Sequence, residues 1–322
     1  MSKLARCTAA VLAMLLAMGG AHAQEKYPNK PIRLIVPFPP GGGTDLMARV
    51  LAQKLTDAFG VSVIVDNRAG GGGSIGTETA VRANPDGYTM IVVSGSYAAN
   101  AALYKLAYDP VNDIAPIALL GETGFIASVH PSVPVKNARE LIAYDKANPG
   151  KLNYASTGTG GITHLATELF NQMAGTRMTH VPYKGTGPAL NDLMGGQIQL
   201  MFGAMPALVP QVKANRLRGI AVSTAKRNAA VPDIPTLGET VAGYETVLWY
   251  AAWGPKALPK DIVARWNKEI DRIVQSPEMK ERMAGEGLEP VGGPAERFRE
   301  ALRRDVAKWQ KVVKTGKISV GS

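Results

Sequence analysis

The stretch Pro37-Phe38-Pro39-Pro40-Gly41-Gly42-Gly43-Thr44-Asp45-Leu46-Met47-Ala48-Arg49 decides how this chain is read. It follows an apolar run of strand character, Ile32 to Val36. It opens a helical pattern, Thr44 to Phe59, that places Leu51, Leu55 and Phe59 on one face. A glycine run at such a junction leaves backbone N–H groups unpaired at the positive end of a helix, which makes a cradle for an anion. Asp45 is the awkward member, because a bound anion would meet its like charge in the first turn. Three roles are open to it: capping its helix, orienting a bridging water, or accepting a hydrogen bond from a ligand hydroxyl or amine. Water or ligand contact is preferred, since Gly43 or Thr44 can cap the helix.

The same composition returns three times. Gly70-Gly71-Gly72-Gly73-Ser74 comes after the strand Val61 to Val65. Ser156-Thr157-Gly158-Thr159-Gly160-Gly161 follows Leu152 to Ala155, and Tyr183-Lys184-Gly185-Thr186-Gly187 follows Thr179 to Pro182. Each lies at the carboxyl end of a strand, where α/β proteins bind ligands, and glycine lets a ligand approach the backbone closely. One such loop is ordinary turn chemistry. Four of them point to a shared cleft.

Strand-like runs alternate with helical patterns from Ile32 to about Ile220, which predicts an α/β fold with a parallel sheet covered on both faces. Helices at 259–275, 277–285 and 294–314 then follow an aromatic strand, Val247 to Trp253. More than ten strands in one sheet is unusual, so two α/β lobes are expected. The segment Ile114 to Val129 would leave the first lobe and the Trp249–Trp253 strand would return, giving two crossovers. Residues 24–122 plus 247–322 would form lobe 1, and residues 123–246 lobe 2, hinged about a cleft.

Residues 1–23 read as a cleavable signal peptide. Lys3 and Arg6 precede an apolar run from Cys7 to Met18, and Ala21-His22-Ala23 is an A-x-A cleavage site. Cys7, the only cysteine, leaves with it, so the exported protein has no disulfide or thiol chemistry. The formal net charge is +10. There is no basic run with interleaved aromatics, so nucleic acid is excluded as a partner and a mild attraction for small anions is the better reading.

Two motif matches need weighing. Gly71-Gly72-Gly73-Ser74-Ile75-Gly76 satisfies G-x-G-x-x-G, but four residues, Asp66 to Ala69, part the glycine run from its strand and no acidic residue ends the next strand. Gly72-Gly73-Ser74-Ile75-Gly76 satisfies the G-x-S-x-G elbow, which makes an exported serine hydrolase using Ser74 the alternative function. That elbow needs a histidine late in the chain, and the last one is His180. His164 and Glu168 stand at i, i+4, a possible metal pair without a convincing third ligand. Packing at the start of its helix suits His164 better. No catalytic residue, metal or cofactor is expected. Arg68 could hold a ligand carboxylate or brace its loop through Asp66, and Lys184 has the same two readings. Ser94 and Ser96 could line the cleft. Trp249, Tyr250 and Trp253 read as core or hinge packing.

Pro37 to Asp45, Asp66-Asn67-Arg68-Ala69, Asn84-Pro85-Asp86-Gly87-Tyr88-Thr89, Asn153-Tyr154-Ala155-Ser156 with Gly158, and Val181-Pro182-Tyr183-Lys184-Gly185 together resemble one family. It is the Bug/TctC family of tripartite tricarboxylate transporter (TTT) periplasmic substrate-binding proteins, and the likeness covers essentially the whole chain after the signal segment. The resemblance implies a periplasmic binding protein fold of type II-like form, with two lobes that close like a Venus flytrap. It implies a periplasmic, Gram-negative location and no enzymatic activity. The bound molecule would be a small organic acid: a mono-, di- or tricarboxylate, an aromatic acid or an acidic amino acid. Membrane transporter subunits of the TTT type, or a sensing system, would receive it from a monomeric receptor. Ligands in the family are held largely by backbone groups and bridging waters. That carries to Phe38, Gly43, Thr44, Asp45, Gly70, Gly71, Gly72, Gly73, Ser74, Ser94, Ser156, Thr157, Gly158, Thr159, Gly185 and Thr186.

Overall fold

The structure is a computed structural model and describes residues 27–316 and residue 318. The signal peptide assigned to residues 1–23 lies outside the described residues. The chain runs Ile32–Val36 (β1), Gly43–Phe59 (α1), Val63–Asn67 (β2), Ser74–Val81 (α2), Thr89–Ser94 (β3), Ser96–Leu103 (α3) and Ile114–Val129 (β4). It continues with Ala138–Ala147 (α4), Asn153–Ser156 (β5), Ile162–Ala174 (α5), Thr179–Pro182 (β6), Thr186–Met194 (α6), Leu200–Ala204 (β7), Met205–Lys213 (α7) and Arg218–Val222 (β8). Val247–Pro255 (β9), Lys260–Val274 (α8), Pro277–Gly285 (α9), Leu288–Pro290 (β10) and Glu296–Gly316 (α10) complete it.

The strands follow the order β2-β1-β3-β9-β4-β7-β5-β6, with β8 and β10 also paired to β4. β1, β2 and β3 are mutually parallel, as are β5, β6 and β7. The expected all-parallel sheet is corrected at its centre. β9 runs antiparallel to β3 and β4, and β4 runs antiparallel to β7, β8 and β10. β4 pairs with strands of both halves of the sheet, while β9 lies antiparallel between β3 and the first part of β4. β4 is 16 residues long. Its first part pairs β9 up to Gly124, and its second part pairs β7 and β8 from Phe125 onward. Register shifts beside Pro116 and Gly121 let the strand bend as it passes over.

β1 and β3 are buried almost throughout, as strands covered on both faces must be. α1 drops Leu51, Leu55 and Phe59 into the core beneath them and ends on Gly60, whose left-handed backbone returns its N–H to Thr56. Trp249, Trp253, Trp266 and Trp309 are all fully buried. Each such side chain removed from water contributes about 1.5–3 kcal/mol or more. α10 packs on α3, β4 and α5, so the C-terminal helix touches both halves of the sheet. The Trp249 indole N–H donates to Asp305 of α10 at 2.7 Å. Two elements escape the sequence reading. α3 is an alanine-rich segment without a polar face, and β10 is three residues long.

Candidate ligand-binding cleft

The amino ends of α1, α3, α5, α6 and α7 converge on one cavity. Gly43 and Thr44 come from α1, Ser96 from α3, Ile162 and Thr163 from α5, Thr186 from α6 and Ala204 from the start of α7. Phe38, Ser94, Phe125, Thr157, Leu248 and Tyr250 complete the wall. In none of these five helices does the N-cap residue's own side chain accept from the first turn, although the Ile162 N–H at the start of α5 donates to the Ser96 hydroxyl at 3.4 Å. Elsewhere caps are used: Asn137 accepts from the Glu140 N–H at the start of α4, and Ser276 accepts from the Met279 N–H at the start of α9. Uncapped α8 begins at exposed residues, where water serves. The helix ends around the cavity therefore direct partial positive charge into a space that water reaches poorly.

The polar side chains of this chamber are hydroxyls, on Thr44, Ser94, Ser96, Thr157, Thr163, Thr186 and Tyr250, and its lining includes no lysine or arginine. Such a site grips an anion through main-chain N–H groups and hydroxyl donors. Each helix end contributes about 0.3–1 kcal/mol, and each charge-assisted hydrogen bond about 1.5–3 kcal/mol. Its other walls are apolar, from Phe38, Phe125, Ile162, Ala204 and Leu248. Phe38 and Thr157 also line a wider outer chamber of about 640 Å³, with Gly70 to Gly73, Tyr104, Gly158, Thr159, Pro182, Tyr183 and Lys184. The two residues form a neck between the chambers.

The walls meet across the outer opening. The Tyr104 hydroxyl donates to the Thr159 carbonyl at 2.8 Å. Gly185, at φ +145°, lies so close to Pro39 that a Cβ there would stand 2.6 Å from the proline ring. A Cβ on Gly187 would stand 2.9 Å from the Pro40 carbonyl. The glycine loops of one half are thus seated against those of the other.

Most of the candidate residues gather here. Phe38, Gly43, Thr44, Ser94, Thr157 and Thr186 line the deep chamber. Gly70, Gly71, Gly72, Gly73, Gly158 and Thr159 line the outer one. Asp45, Ser74, Ser156 and Gly185 lie beside the chambers without lining them. Asp45 is buried and braces the loop. One carboxylate oxygen accepts from the Gly41 N–H and from Arg49 Nε, and the other from Asn67 Nδ2, each at 2.9 Å. Burial alone would raise this carboxyl, but those donors outweigh it and hold it below the ordinary carboxylate value. The partners of Asp45 in the structure all lie within its own loop or on Asn67, so the carboxylate braces the Pro37–Arg49 loop. Arg68 likewise braces Asp66, at 2.9 Å.

Ser156 is held from behind. Its hydroxyl is 2.6 Å from His180 Nε2 and 3.2 Å from the Gly158 N–H. The His180 ring stacks on that of His164 with centroids 3.9 Å apart, and Tyr154 lies beside both rings, at 5.0 Å from His180 and 6.5 Å from His164. The Gly160 N–H donates to His164 Nδ1 at 3.1 Å, so this stack fixes the Ser156–Gly161 loop. Burial holds both imidazoles below their usual value; with His164 beside it, His180 falls to about 3. His130 contacts Ser132. The three described histidines are thus engaged away from Ser74, and a nucleophile elbow there has no base.

Ser96, Phe125, Ile162, Thr163, Ala204, Leu248 and Tyr250 line the deep chamber beyond the candidate set. Ser96 was open to this role from its place after β3. Tyr250 read as core packing because it sits in an aromatic run. On β9, however, Leu248 and Tyr250 face the chamber while Trp249 faces α10.

The profile of the tripartite tricarboxylate transporter family receptor, TctC, matches residues 47–318. The protein BugT of Bordetella pertussis (strain Tohama I) is 35% identical over 314 residues, covering 95% of this chain and 96% of BugT. Among solved structures, the Rpa4515 protein of R. palustris with adipate superposes with a TM-score of 0.88 at 35% identity, covering 91% of this chain and 99% of that one. The periplasmic binding protein BugD superposes with a TM-score of 0.88 at 33% identity, with the same coverage. Among the described residues no helix is long and apolar enough to cross a membrane. The chain belongs to the TctC family of tripartite tricarboxylate transporter receptors, periplasmic solute-binding proteins of the Bug type that are not enzymes.

Proposed function

We propose that this protein is exported by its signal peptide to the periplasm, binds a small carboxylate in the cleft described above, and delivers it as a monomer to a TTT-type membrane transporter or a sensing system. The observation that carries this reading is the meeting of five helix starts whose own N-cap side chains leave them uncapped on a cavity lined by hydroxyls and no cation. The adipate held by Rpa4515 supports the same ligand chemistry. Residues 24–122 plus 247–322 form lobe 1 and residues 123–246 lobe 2, and they swing about β4 near Gly124 and about the start of β9. Gly43 and Gly73 sit at helix starts on one lobe, Ile162 and Thr186 on the other. A carboxylate between them satisfies both sets only in the closed form and so shifts the population toward it. A few such contacts, less the cost of ordering, give about −8 kcal/mol, a micromolar affinity.

A thermal-shift screen tests this, with adipate, malate, citrate, benzoate and glutamate as probes. A free ligand at about 100 times its Kd adds roughly 2.7 kcal/mol to stability, a clear rise in Tm. The absence of a shift with every acid would overturn the reading. Mass spectrometry of small molecules released from the purified protein names the natural occupant.

A further inference from the structure

Four tyrosines in the described chain are buried: Tyr97, Tyr154, Tyr244 and Tyr250. Three of them spend their hydroxyl inside the protein. Tyr97 donates to the Pro110 carbonyl at 2.8 Å, Tyr154 to Glu168 at 2.6 Å, and Tyr244 to the Ala166 carbonyl at 2.8 Å. Tyr250 is the exception. Its side chain is 1% exposed, and its hydroxyl has no hydrogen-bond partner among the described residues. A buried phenol without a partner is costly to keep, and a core position of the same shape would be filled more cheaply by phenylalanine.

The place of that hydroxyl gives it a use. Tyr250 lines the deep chamber together with Gly43, Thr44 and Thr186. The hydroxyl rests directly against Gly43, the first residue of α1, so closely that no Cβ could be added there. β9 sets this position by pairing Tyr250 with Ser94 on one side and Gly121 on the other, and Ser94 lines the same chamber. The uncapped start of α1 and the Tyr250 O–H therefore face one spot from two directions. Burial pushes this phenol further above its usual value, so it stays neutral and can only donate to an anion, never repel it.

We infer that the Tyr250 hydroxyl is a ligand-binding donor that receives one carboxylate oxygen of the bound acid over the first turn of α1. The inference rests on the carboxylate-receptor reading and adds a specificity-determining side chain to a grip otherwise made of backbone and small hydroxyls. It requires an acceptor oxygen at the buried end of the ligand and disfavours molecules that bring only alkyl there.

Tyr250→Phe tests it. Adipate and malate are titrated calorimetrically into the parent protein and the variant, and the Tm of each unliganded protein is recorded. The expected result is an unliganded Tm that is unchanged or raised, with affinity for the acid lowered at least about tenfold. A variant that binds the acid as tightly as the parent overturns the inference while leaving the receptor reading intact. A parent that binds none of the acids in the screen overturns both.

Discussion

The Tyr104 hydroxyl donates to the Thr159 carbonyl across the mouth of the cleft, at 2.8 Å. It ties α3's carboxyl end to the loop that follows β5, two segments 55 residues apart in the chain. Such a bond exists only while the walls are together. Tyr104→Phe should therefore leave unliganded stability nearly unchanged and speed ligand release. A net hydrogen bond of about 0.5–1.5 kcal/mol corresponds to roughly 2–10-fold in Kd. Stopped-flow displacement and calorimetry measure both quantities. An unaltered dissociation rate would show that closure does not depend on this bond.

Gly185 touches Pro39 where the opposite rim closes. Gly185→Ala adds a Cβ at φ +145° into that contact, so affinity for the bound acid should fall about tenfold or more. Gly60→Ala is the matched control. It too has a positive φ, of 71°, but a Cβ there meets nothing within 4 Å. It should cost about 1–2 kcal/mol of fold stability and leave binding alone. Equal effects of both variants on binding would remove the steric account of closure.

Asp45→Ala removes the acceptor for three donors in the Pro37–Arg49 loop. Hydrogen bonds to a charged group are worth about 1.5–3 kcal/mol, and urea unfolding should show a loss of that order. Its pH dependence has a definite sign. The folded carboxyl lies below the unfolded value of 3.8, so its contribution is fully present above about that pH and is lost as pH falls through the folded value. The parent should lose stability in that acid window more steeply than the variant does.

His164 and His180 give a second acid dependence at higher pH. Burial lowers both from 6.5, His180 to about 3, with His164 adding to the effect. Tyr154 and Ser156 also face this stack, and Glu168, bonded to the Tyr154 hydroxyl, opposes part of the shift at His164. Between about 6.5 and about 3 the unfolded chain binds protons that the folded chain refuses, so stability falls as pH drops through that window. Chemical denaturation followed from about pH 7 to about pH 5 should show the fall, and His180→Gln should shrink it. An identical slope in parent and variant would place the acid sensitivity elsewhere.

The glycine-rich loops were legible by composition, and the structure gathers residues of all four around the two chambers. The apolar character of Ile114–Val129 was legible, though it read as two runs, at 117–120 and 125–129, rather than the single strand β4. Sheet direction was not, since periodicity is the same for parallel and antiparallel strands. Nor was Tyr250. Within Leu248-Trp249-Tyr250-Ala251-Ala252-Trp253 every residue is buried, and only the partner of each side chain separates a core position from a cavity wall. The bracing role of Asp45 was not legible for a related reason. Its carboxylate is spent on Asn67, 22 residues away, and no local pattern records that.

A grip built from main-chain N–H groups cannot be altered by exchanging one side chain for another. On the proposed reading the anion's hold would belong mainly to the backbone, with the Tyr250 hydroxyl beside it, while Phe125, Ile162 and Leu248 would choose the rest of the molecule. Affinity and taste would thereby be largely separable: replacing Phe125, Ile162 or Leu248 would retune which acid fits while leaving the main-chain donors in place. The same division makes the protein a practical starting point for building sensors of carboxylates it does not now bind.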